Sequence, residues 1–377
     1  FTRLDAQTYN LQTTYYYSAE EPTTPTRDGY KFLGWYGVSN GNEFTGNTWN
    51  FSEKILSNVD LYAVWAEEEN IDIVKIWDDG NDRDRIRPEN VTISVDNYGD
   101  ITLSKENEES SNIWKDQITV DKYDYNFDKV VLVYRNDLDE DVLYNTVVED
   151  NALTLTGMRI FANDVTINDG DKLQDVLATM KPVEYTAVEQ NVTEGYDVEY
   201  SEDTHTITNV HKPAVTTKIV TKIWNDNNDQ DGKRPDSVKL LLKVNGQLDT
   251  EITLNEQSGW TYEWKDLYTY EDGKEIEYTV EEAEVPTGYE VSYNQDTLTV
   301  TNTHVPETIE KTVTKVWDDN NDQDGKRPDS VDVQLLANEE ILEKVTLDEN
   351  NNWTYTFRDL DKYKDGQEII YTVDETK

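Results

Sequence analysis

An internal repeat with a period of 93 residues constrains the fold of this sequence more than any other feature. Residues 221–280 align with residues 314–373 without a gap, and 34 of the 60 aligned positions are identical. Both copies share a Trp near the start, the run DGKRPDSV after it and the triplet YTV at the end. A repeat of this length is the size of a small domain, so the sequence predicts tandem modules.

A third, more divergent copy lies upstream of these two. Lys75 and Trp77 match the start of the other copies, and the spacing from Trp77 to the next Arg-Pro pair is the same. Between its matched ends this copy spans 114 residues instead of 60, so about 54 extra residues lie within 121–181. We assign the three copies to residues 67–212, 213–304 and 305–377, with the last one ending before its final strand.

Residues 1–66 do not belong to the repeat. They hold 4 basic and 7 acidic residues, a net charge of −3, whereas the whole chain carries −45. Nearly all of the acidity therefore lies in the repeats. We predict short linkers at 66–70, 210–216 and 303–310; the last two contain proline, which is typical of stiff, extended joints.

The composition excludes several classes of protein. A net charge of −45 argues against binding to nucleic acids or to anionic lipid. Cysteine is absent, which excludes disulfides and thiolate metal sites, and no apolar run approaches the roughly 18 residues of a membrane span. Aromatic residues make up 11%, so the chain is not disordered. We expect a soluble, monomeric, mostly β chain with several small cores.

Three polar residues of the second copy fall on strand faces that are otherwise apolar or aromatic. Side chains at positions i and i+2 share one face of a strand. Burying an unpaired amine or carboxylate is costly, so either the strand ends are solvated or the three groups meet. If they meet, burial lowers the pKa of the Lys and raises that of the Glu, which leaves a nucleophilic amine beside an acid. The three polar residues are Lys222, which shares a strand face with Trp224, Glu282, which shares one with Tyr278 and Val280, and Asn302, which shares one with Leu298 and Val300.

Two family resemblances cover the chain. The pattern TK[IV]W[ND]DNNDQDGKRPDSV, followed later by the triplet YTV and the pair TN, resembles the collagen-adhesin B-type (Cna-B) domain of Gram-positive surface proteins. Residues 1–66, with GYKFLGW at 29–35 and LYAVW at 61–65, resemble the Listeria–Bacteroides or internalin B-type repeat. The resemblances imply an N-terminal β-grasp module followed by tandem β-sandwiches of prealbumin or immunoglobulin type in an elongated array. They also imply an extracellular, cell-wall-anchored location, with the signal and anchor outside these residues.

The Cna-B resemblance implies a chemistry for the polar cluster. In that family a Lys amine attacks an Asn side-chain amide, assisted by a Glu, and an isopeptide bond forms as ammonia leaves. In the third copy Lys315 and Glu375 match, but the Asn is expected near position 395, so we expect this copy to lack the bond. The reaction happens once within its own chain, so we expect no enzyme. The matching cross-link positions are Lys75 with Asn209 and Lys222 with Asn302, and the assisting residues are Glu189 and Glu282.

The Asp- and Asn-rich loops that follow each repeat Trp raise the question of calcium. Asn227, Asp229 and Asp231 before Gly232 imitate the start of an EF-hand loop, but Val238 stands where the loop needs its Glu. The alternative is a turn rich in Asx residues. We favour the turn and expect no cofactor, with calcium as the weaker alternative.

The insertion within 121–181 leaves two functions open. The favoured one is a surface adhesin or stalk segment that isopeptide bonds make rigid. The alternative is a ligand-binding adhesin tip, in which the first sandwich uses the insertion to contact a host extracellular protein or glycan. A glycan-acting enzyme is disfavoured because no catalytic motif stands out. The insertion is predicted to hold strands at 129–134, 142–148, 153–155 and 164–167 and a helix over 171–180.

Overall fold

The computed structural model describes residues 8–11, 18–39 and 43–376. Nearly all regular elements in this part of the chain are β-strands, so the prediction of a mostly β fold is confirmed. No helix within the described ranges is long and apolar enough to cross a membrane. The chain divides into two compact units, the first formed by 1–82 and 86–212 and the second by 83–85 and 213–377.

The first unit contains fourteen of the described strands, one short α-helix, α1 (Leu173–Leu177), and a 3-10 turn at Lys105–Asn107. Its strands are β1 (Thr8–Leu11), β2 (Tyr30–Ser39), β3 (Glu43–Thr48), β4 (Val59–Asp78), β5 (Asn90–Val95), β6 (Gly99–Ser104), β7 (Glu108–Ser110), β8 (Ile113–Asp121), β9 (Tyr125–Arg135), β10 (Asp141–Tyr144), β11 (Thr154–Ala162), β12 (Ala187–Gln190), β13 (Asp197–Tyr200) and β14 (Thr206–Val210).

Strand β4 joins the N-terminal module to the first copy without interruption. Its first half pairs with β1 and β2, and its second half pairs with β8 and, in parallel, with β14. The stretch 66–70, predicted as a linker, lies inside this strand, so that prediction was wrong. A hydrogen-bonded strand passing through a module boundary holds the two sides in a common register.

The insertion packs against the N-terminal module. Its sheet, in the order β10-β9-β11, shares one hydrophobic core with β2 and β4, in which Leu132 and Phe161 lie beside Tyr36 and Val64. The predicted helix is present but shorter, at Leu173–Leu177. The predicted strand at 164–167 was wrong, because these residues form a loop that covers the core with Val165 and Ile167.

The second unit contains the second and third copies. Its strands are β15 (Val215–Asn225), β16 (Ser237–Val244), β17 (Gln247–Asn255), β18 (Thr261–Tyr268), β19 (Tyr270–Glu271), β20 (Lys274–Glu275), β21 (Tyr278–Glu282), β22 (Glu290–Asn294), β23 (Thr299–Thr303), β24 (Thr308–Thr314), β25 (Ser330–Ala337), β26 (Glu340–Asp348), β27 (Thr354–Asp361), β28 (Tyr363–Lys364), β29 (Gln367–Glu368) and β30 (Tyr371–Thr376).

Each sandwich forms because apolar residues alternate along its strands. In β16 the side chains of Val238, Leu240 and Leu242 are buried, and they face the core between two sheets, β18-β15-β23-β22 and β17-β16-β21. The turn at Asn245 and Gly246, where both φ angles are positive, closes the β16–β17 hairpin. The first and last strands, β15 and β23, lie side by side and parallel, as β4 and β14 do in the first copy.

Candidate functional site

A cluster of Lys, Glu and Asn is buried in the core of the first copy. Lys75 lies on β4, Asn209 on the adjacent parallel strand β14, and Glu189 on β12 of the facing sheet. The Lys75 Nζ is 3.2 Å from the Glu189 Oε2, and both side chains are fully buried. The Asn209 Nδ2 donates a hydrogen bond of 3.1 Å to the Glu189 Oε1. One carboxylate therefore contacts both the amine and the amide.

The second copy holds the same cluster on the same elements. Lys222 lies on β15, Asn302 on β23 and Glu282 on β21. The Asn302 Nδ2 donates to the Glu282 Oε1 at 3.2 Å, while the Lys222 Nζ donates to the backbone oxygen of Ile223 at 3.4 Å. All three side chains are buried. The Asn302 Oδ1 and the Glu282 Oε2 have no hydrogen-bond partner, which is costly for polar atoms in a core.

Parallel pairing explains why the Lys and the Asn approach each other. In the second copy Lys222 is opposite Val300, and Trp224, two residues further along the same face, is opposite Asn302. The Lys and the Asn are therefore diagonal neighbours on one face of the sheet. The Lys222 Nζ also lies 4.2 Å from the centre of the Trp224 ring. The first copy repeats this register, with Lys75 opposite Ile207.

Burial changes the acid–base properties of these groups. Burial lowers the pKa of Lys75 to about 8, although the nearby Glu189 opposes the change. It lowers the pKa of Lys222 to about 8 as well, against the pull of Glu282 and Asp226. Burial raises the pKa of Glu282, and the charge of Lys222 only partly offsets it. Each Lys therefore has an appreciable neutral, nucleophilic fraction near neutral pH.

Lys315 and Glu375 of the third copy are in a different environment. The Lys315 Nζ is 2.7 Å from the Glu375 Oε2, but the two side chains are 23% and 46% exposed. No Asn meets them within the described ranges. The pair is therefore a solvated ion pair rather than a buried triad.

A second buried cluster lies beside each triad, and sequence reasoning missed it. Asp226 accepts two hydrogen bonds from the Arg234 side chain, at 2.6 and 3.0 Å, and one of 2.8 Å from the Tyr289 hydroxyl. Burial alone would raise the pKa of Asp226, but the hydrogen bonds from Arg234 hold it below its usual value. The recurrence of an Asp eight residues before each Arg-Pro pair was the signal that could have revealed it. The first copy has the same arrangement with Asp79, Arg87 and Tyr196.

The acidic loop residues make contacts within the protein. Asp229 accepts a hydrogen bond of 2.8 Å from the backbone N–H of Arg234, and Asp231 accepts from His304 and from the backbone of Glu307. Among the described residues no group of three or more His, Asp or Glu side chains is arranged to hold a metal ion. The structure therefore offers the calcium interpretation no support.

Comparison with known families identifies the modules. The model of the Cna protein B-type domain matches residues 71–157, 219–303 and 311–377, and that of the Listeria-Bacteroides repeat domain matches residues 2–64. The chain therefore belongs to the Cna protein B-type domain family and begins with a Listeria-Bacteroides repeat. Both resemblances stated from the sequence are confirmed.

Individual relatives agree with this assignment. The collagen adhesin of Staphylococcus aureus is 42% identical over 201 residues, which are 52% of this chain and 17% of that protein. Internalin H of Listeria monocytogenes is 35% identical over 69 residues, 18% of this chain and 12% of that protein. The chain thus spans less than a fifth of either relative. A crystal structure of two B repeat units of the S. aureus collagen binding protein is 27% identical, covers 82% of this chain and 94% of that one, and has a TM-score of 0.32.

Proposed function

We propose that this chain is a segment of a bacterial cell-surface adhesin or stalk, and that its first two B-type copies each form an internal Lys–Asn isopeptide bond. Family membership supports the surface role. The observation that carries the cross-link is the buried contact of one carboxylate with both an amine and an amide in the first copy, and the same buried triad in the second. Collagen adhesin as a relative suggests a host extracellular protein as the partner of the whole protein.

The reaction balances without any co-reactant. Glu282 takes a proton from the Lys222 ammonium, and the neutral Nζ attacks the Cγ of Asn302. The Glu282 carboxyl, which already contacts the Nδ2, returns that proton to the leaving nitrogen, then takes up the second proton that the attacking Nζ must lose and ends the reaction protonated. The bond from Cγ to Nδ2 breaks, a new amide joins Cγ to Nζ, and one molecule of ammonia leaves. The fold supplies the proximity that makes such an unactivated reaction fast.

The bond has a mechanical use in a chain without cysteine. It would join the first strand of each sandwich to the last, so a pulling force would pass through the covalent link instead of unravelling the strands between them. It would also restrict the unfolded chain, as a disulfide does. Both effects suit a surface protein that is exposed to shear and to proteases.

Intact mass measurement under denaturing conditions tests the proposal. Each bond removes one ammonia, about 17 Da, so the chain should be about 34 Da lighter than its sequence. Glu189→Gln and Glu282→Gln should each restore about 17 Da. Glu375→Gln, which alters the exposed pair of the third copy, is the matched control and should change nothing beyond its own substitution. A parent chain with its full sequence mass would overturn the proposal.

The alternative function, a binding tip formed by the insertion, has weaker support. The apolar side of the insertion is already occupied by the N-terminal module, with which it shares a core. Its exposed apolar residues include Leu138, which is 74% exposed, and Phe127, which is 49% exposed. Capture of the whole chain on immobilised host matrix proteins, lost on Leu138→Asp and Phe127→Asp substitution, would favour the binding tip.

A further inference from the structure

The loop that suggested calcium binding makes a different contact in the second copy. Asp231 has a fully buried side chain, and its Oδ2 accepts hydrogen bonds of 2.9 Å from the His304 Nε2 and from the backbone N–H of Glu307. Glu307 belongs to the segment that leads into the third copy. A carboxylate of the second copy is thus desolvated by the start of the next module, and such burial requires compensating donors.

His304 contacts the buried carboxylate of Asp231 on one side and the backbone of its own copy on the other. The His304 Nδ1 lies 2.7 Å from the backbone oxygen of Gly288, and its Nε2 faces the carboxylate. The ring therefore connects the buried carboxylate to the backbone of the second copy. The ring also packs against Tyr289, with centroids 5.4 Å apart. The result is a buried contact between His304 and Asp231 where the two copies join.

An ionic contact also links the two copies directly. The Glu307 carboxylate accepts hydrogen bonds from the Lys233 Nζ of the second copy at 2.7 Å and from the Lys362 Nζ of the third copy at 2.9 Å. The two cations hold the pKa of Glu307 at about 2. One carboxylate in the connecting segment therefore bridges a cation from each module.

The backbones of the two copies also touch. The N–H of Gly366, in the turn between β28 and β29, donates to the backbone oxygen of Gln230 at 3.1 Å. A Cβ added to Gly232 would lie 2.6 Å from the Gly366 Cα. Only glycine permits this approach, because any side chain would push the third copy away.

The third copy offers an internal comparison, since it carries the same loop residues without the contacts. Asp324 and Gly325 correspond to Asp231 and Gly232 by the 93-residue period, and both are exposed. A Cβ added to Gly325 would meet nothing within 4 Å. The loop sequence alone therefore does not bury its Asp. Asp231 is contacted by His304 and by the backbone of Glu307, both of which lie outside the loop.

We propose that the Asp- and Asn-rich loop of the second copy is a docking site for the third copy, and that the hydrogen-bonded contact between His304 and Asp231 locks the joint between them. The joint involves neither triad, so this inference stands or falls independently of the isopeptide bonds.

Two spin labels on the whole chain test the docking. The chain contains no cysteine, so Lys265→Cys and Lys344→Cys, at exposed positions of β18 and β26, accept one label each. Pulsed electron paramagnetic resonance then reports the distribution of distances between the second and third copies. A docked joint gives one narrow peak, whereas modules on a free linker give a broad distribution.

Matched substitutions separate docking from general damage. Asp231→Asn and Gly232→Ala should broaden the distribution about twofold or more, because Asn lacks the negative charge that Asp231 places at the joint and the Cβ of Ala would lie 2.6 Å from the Gly366 Cα. Asp324→Asn and Gly325→Ala make the same changes in an exposed loop and should leave the peak as it is. The glycine pair shares the same positive φ, so local strain is matched.

The outcomes decide the proposal in either direction. A narrow peak in the parent and both controls, with broad peaks in Asp231→Asn and Gly232→Ala, supports docking. A broad peak in the parent, or an unchanged peak in both test variants, overturns it. Near-ultraviolet circular dichroism checks that each variant keeps its tertiary packing. If the test variant of the Asp pair or of the Gly pair loses this packing, the comparison rests on the other test variant and its control.

Discussion

Replacing Glu282 with Gln should weaken the second copy far more than a surface substitution would. Gln keeps the volume and can still contact Asn302, but it cannot carry the proton, so the isopeptide bond does not form. Lys222 and Asn302 are 80 positions apart in the sequence. The chain-entropy model for a cross-link that closes a loop of this length gives about 4.5 kcal/mol of lost stability.

Hydrogen exchange measured by mass spectrometry is the suitable assay, because several modules unfold separately in one chain. The slowest amides of β16 and β23 should exchange about 10³-fold faster in Glu282→Gln, since each 1.4 kcal/mol is a factor of ten. Peptides from the first copy should not change. Glu375→Gln removes only an exposed ion pair and should alter exchange in the third copy by less than about tenfold.

Two results would refute this reasoning. If Glu282→Gln shows the same ammonia loss as the parent, Glu282 does not assist the reaction. If the bond is lost and exchange in the second copy rises by less than about tenfold, the cross-link does not stabilise by constraining the unfolded chain.

Three further predictions concern the pH dependence, the core and the cross-link itself. The unlinked variant Asn302→Ala should become more stable between about pH 8 and about pH 10.5, because the unfolded state holds a proton on Lys222 that the folded state has released; denaturant midpoints across this range check the sign. Phe161→Ala should destabilise the first unit by about 3–5 kcal/mol, because Phe161 is fully buried, whereas Phe127→Ala at a half-exposed position should cost less than about 1 kcal/mol. Thermal unfolding of the two variants measures this difference. Cutting the chain at a protease site placed in the turn at Gly246 should leave the two fragments of the second copy joined on a denaturing gel, and their separation would contradict the bond.

Local patterns in the sequence indicated which strand faces are apolar, although they placed a strand at 164–167 where the structure has a loop. Alternation of apolar residues along a strand shows which side chains face the core, since the side-chain period of a strand is two. That rule is enough to put Lys222, Glu282 and Asn302 on apolar faces. The gap-free repeat identifies Lys315 and Glu375 as the matching positions of the third copy, where the structure has an exposed ion pair instead.

The same patterns could not show which groups a polar side chain would meet. Asp226 and Arg234 are close in sequence, but Tyr289, which completes their cluster, is 63 positions away from Asp226. The Asp and Asn residues of the loop resembled a calcium-binding loop, because their spacing does not reveal whether a carboxylate already accepts a hydrogen bond from an N–H group of the protein. Partners of this kind depend on how strands from different parts of the chain are brought together.

The sequence by itself determined the repeated modules and the apolar strand faces on which Lys222, Glu282 and Asn302 lie, because these follow from short-range periodicity and from the repeat. Only the tertiary structure decided that β4 passes unbroken from one module into the next and that the insertion shares a core with the N-terminal module. Tertiary contacts also decided that Asp231 is buried whereas Asp324, with the same neighbours in sequence, is exposed. The physical reason is that burial depends on segments distant in the chain, and a local sequence does not specify what will cover it.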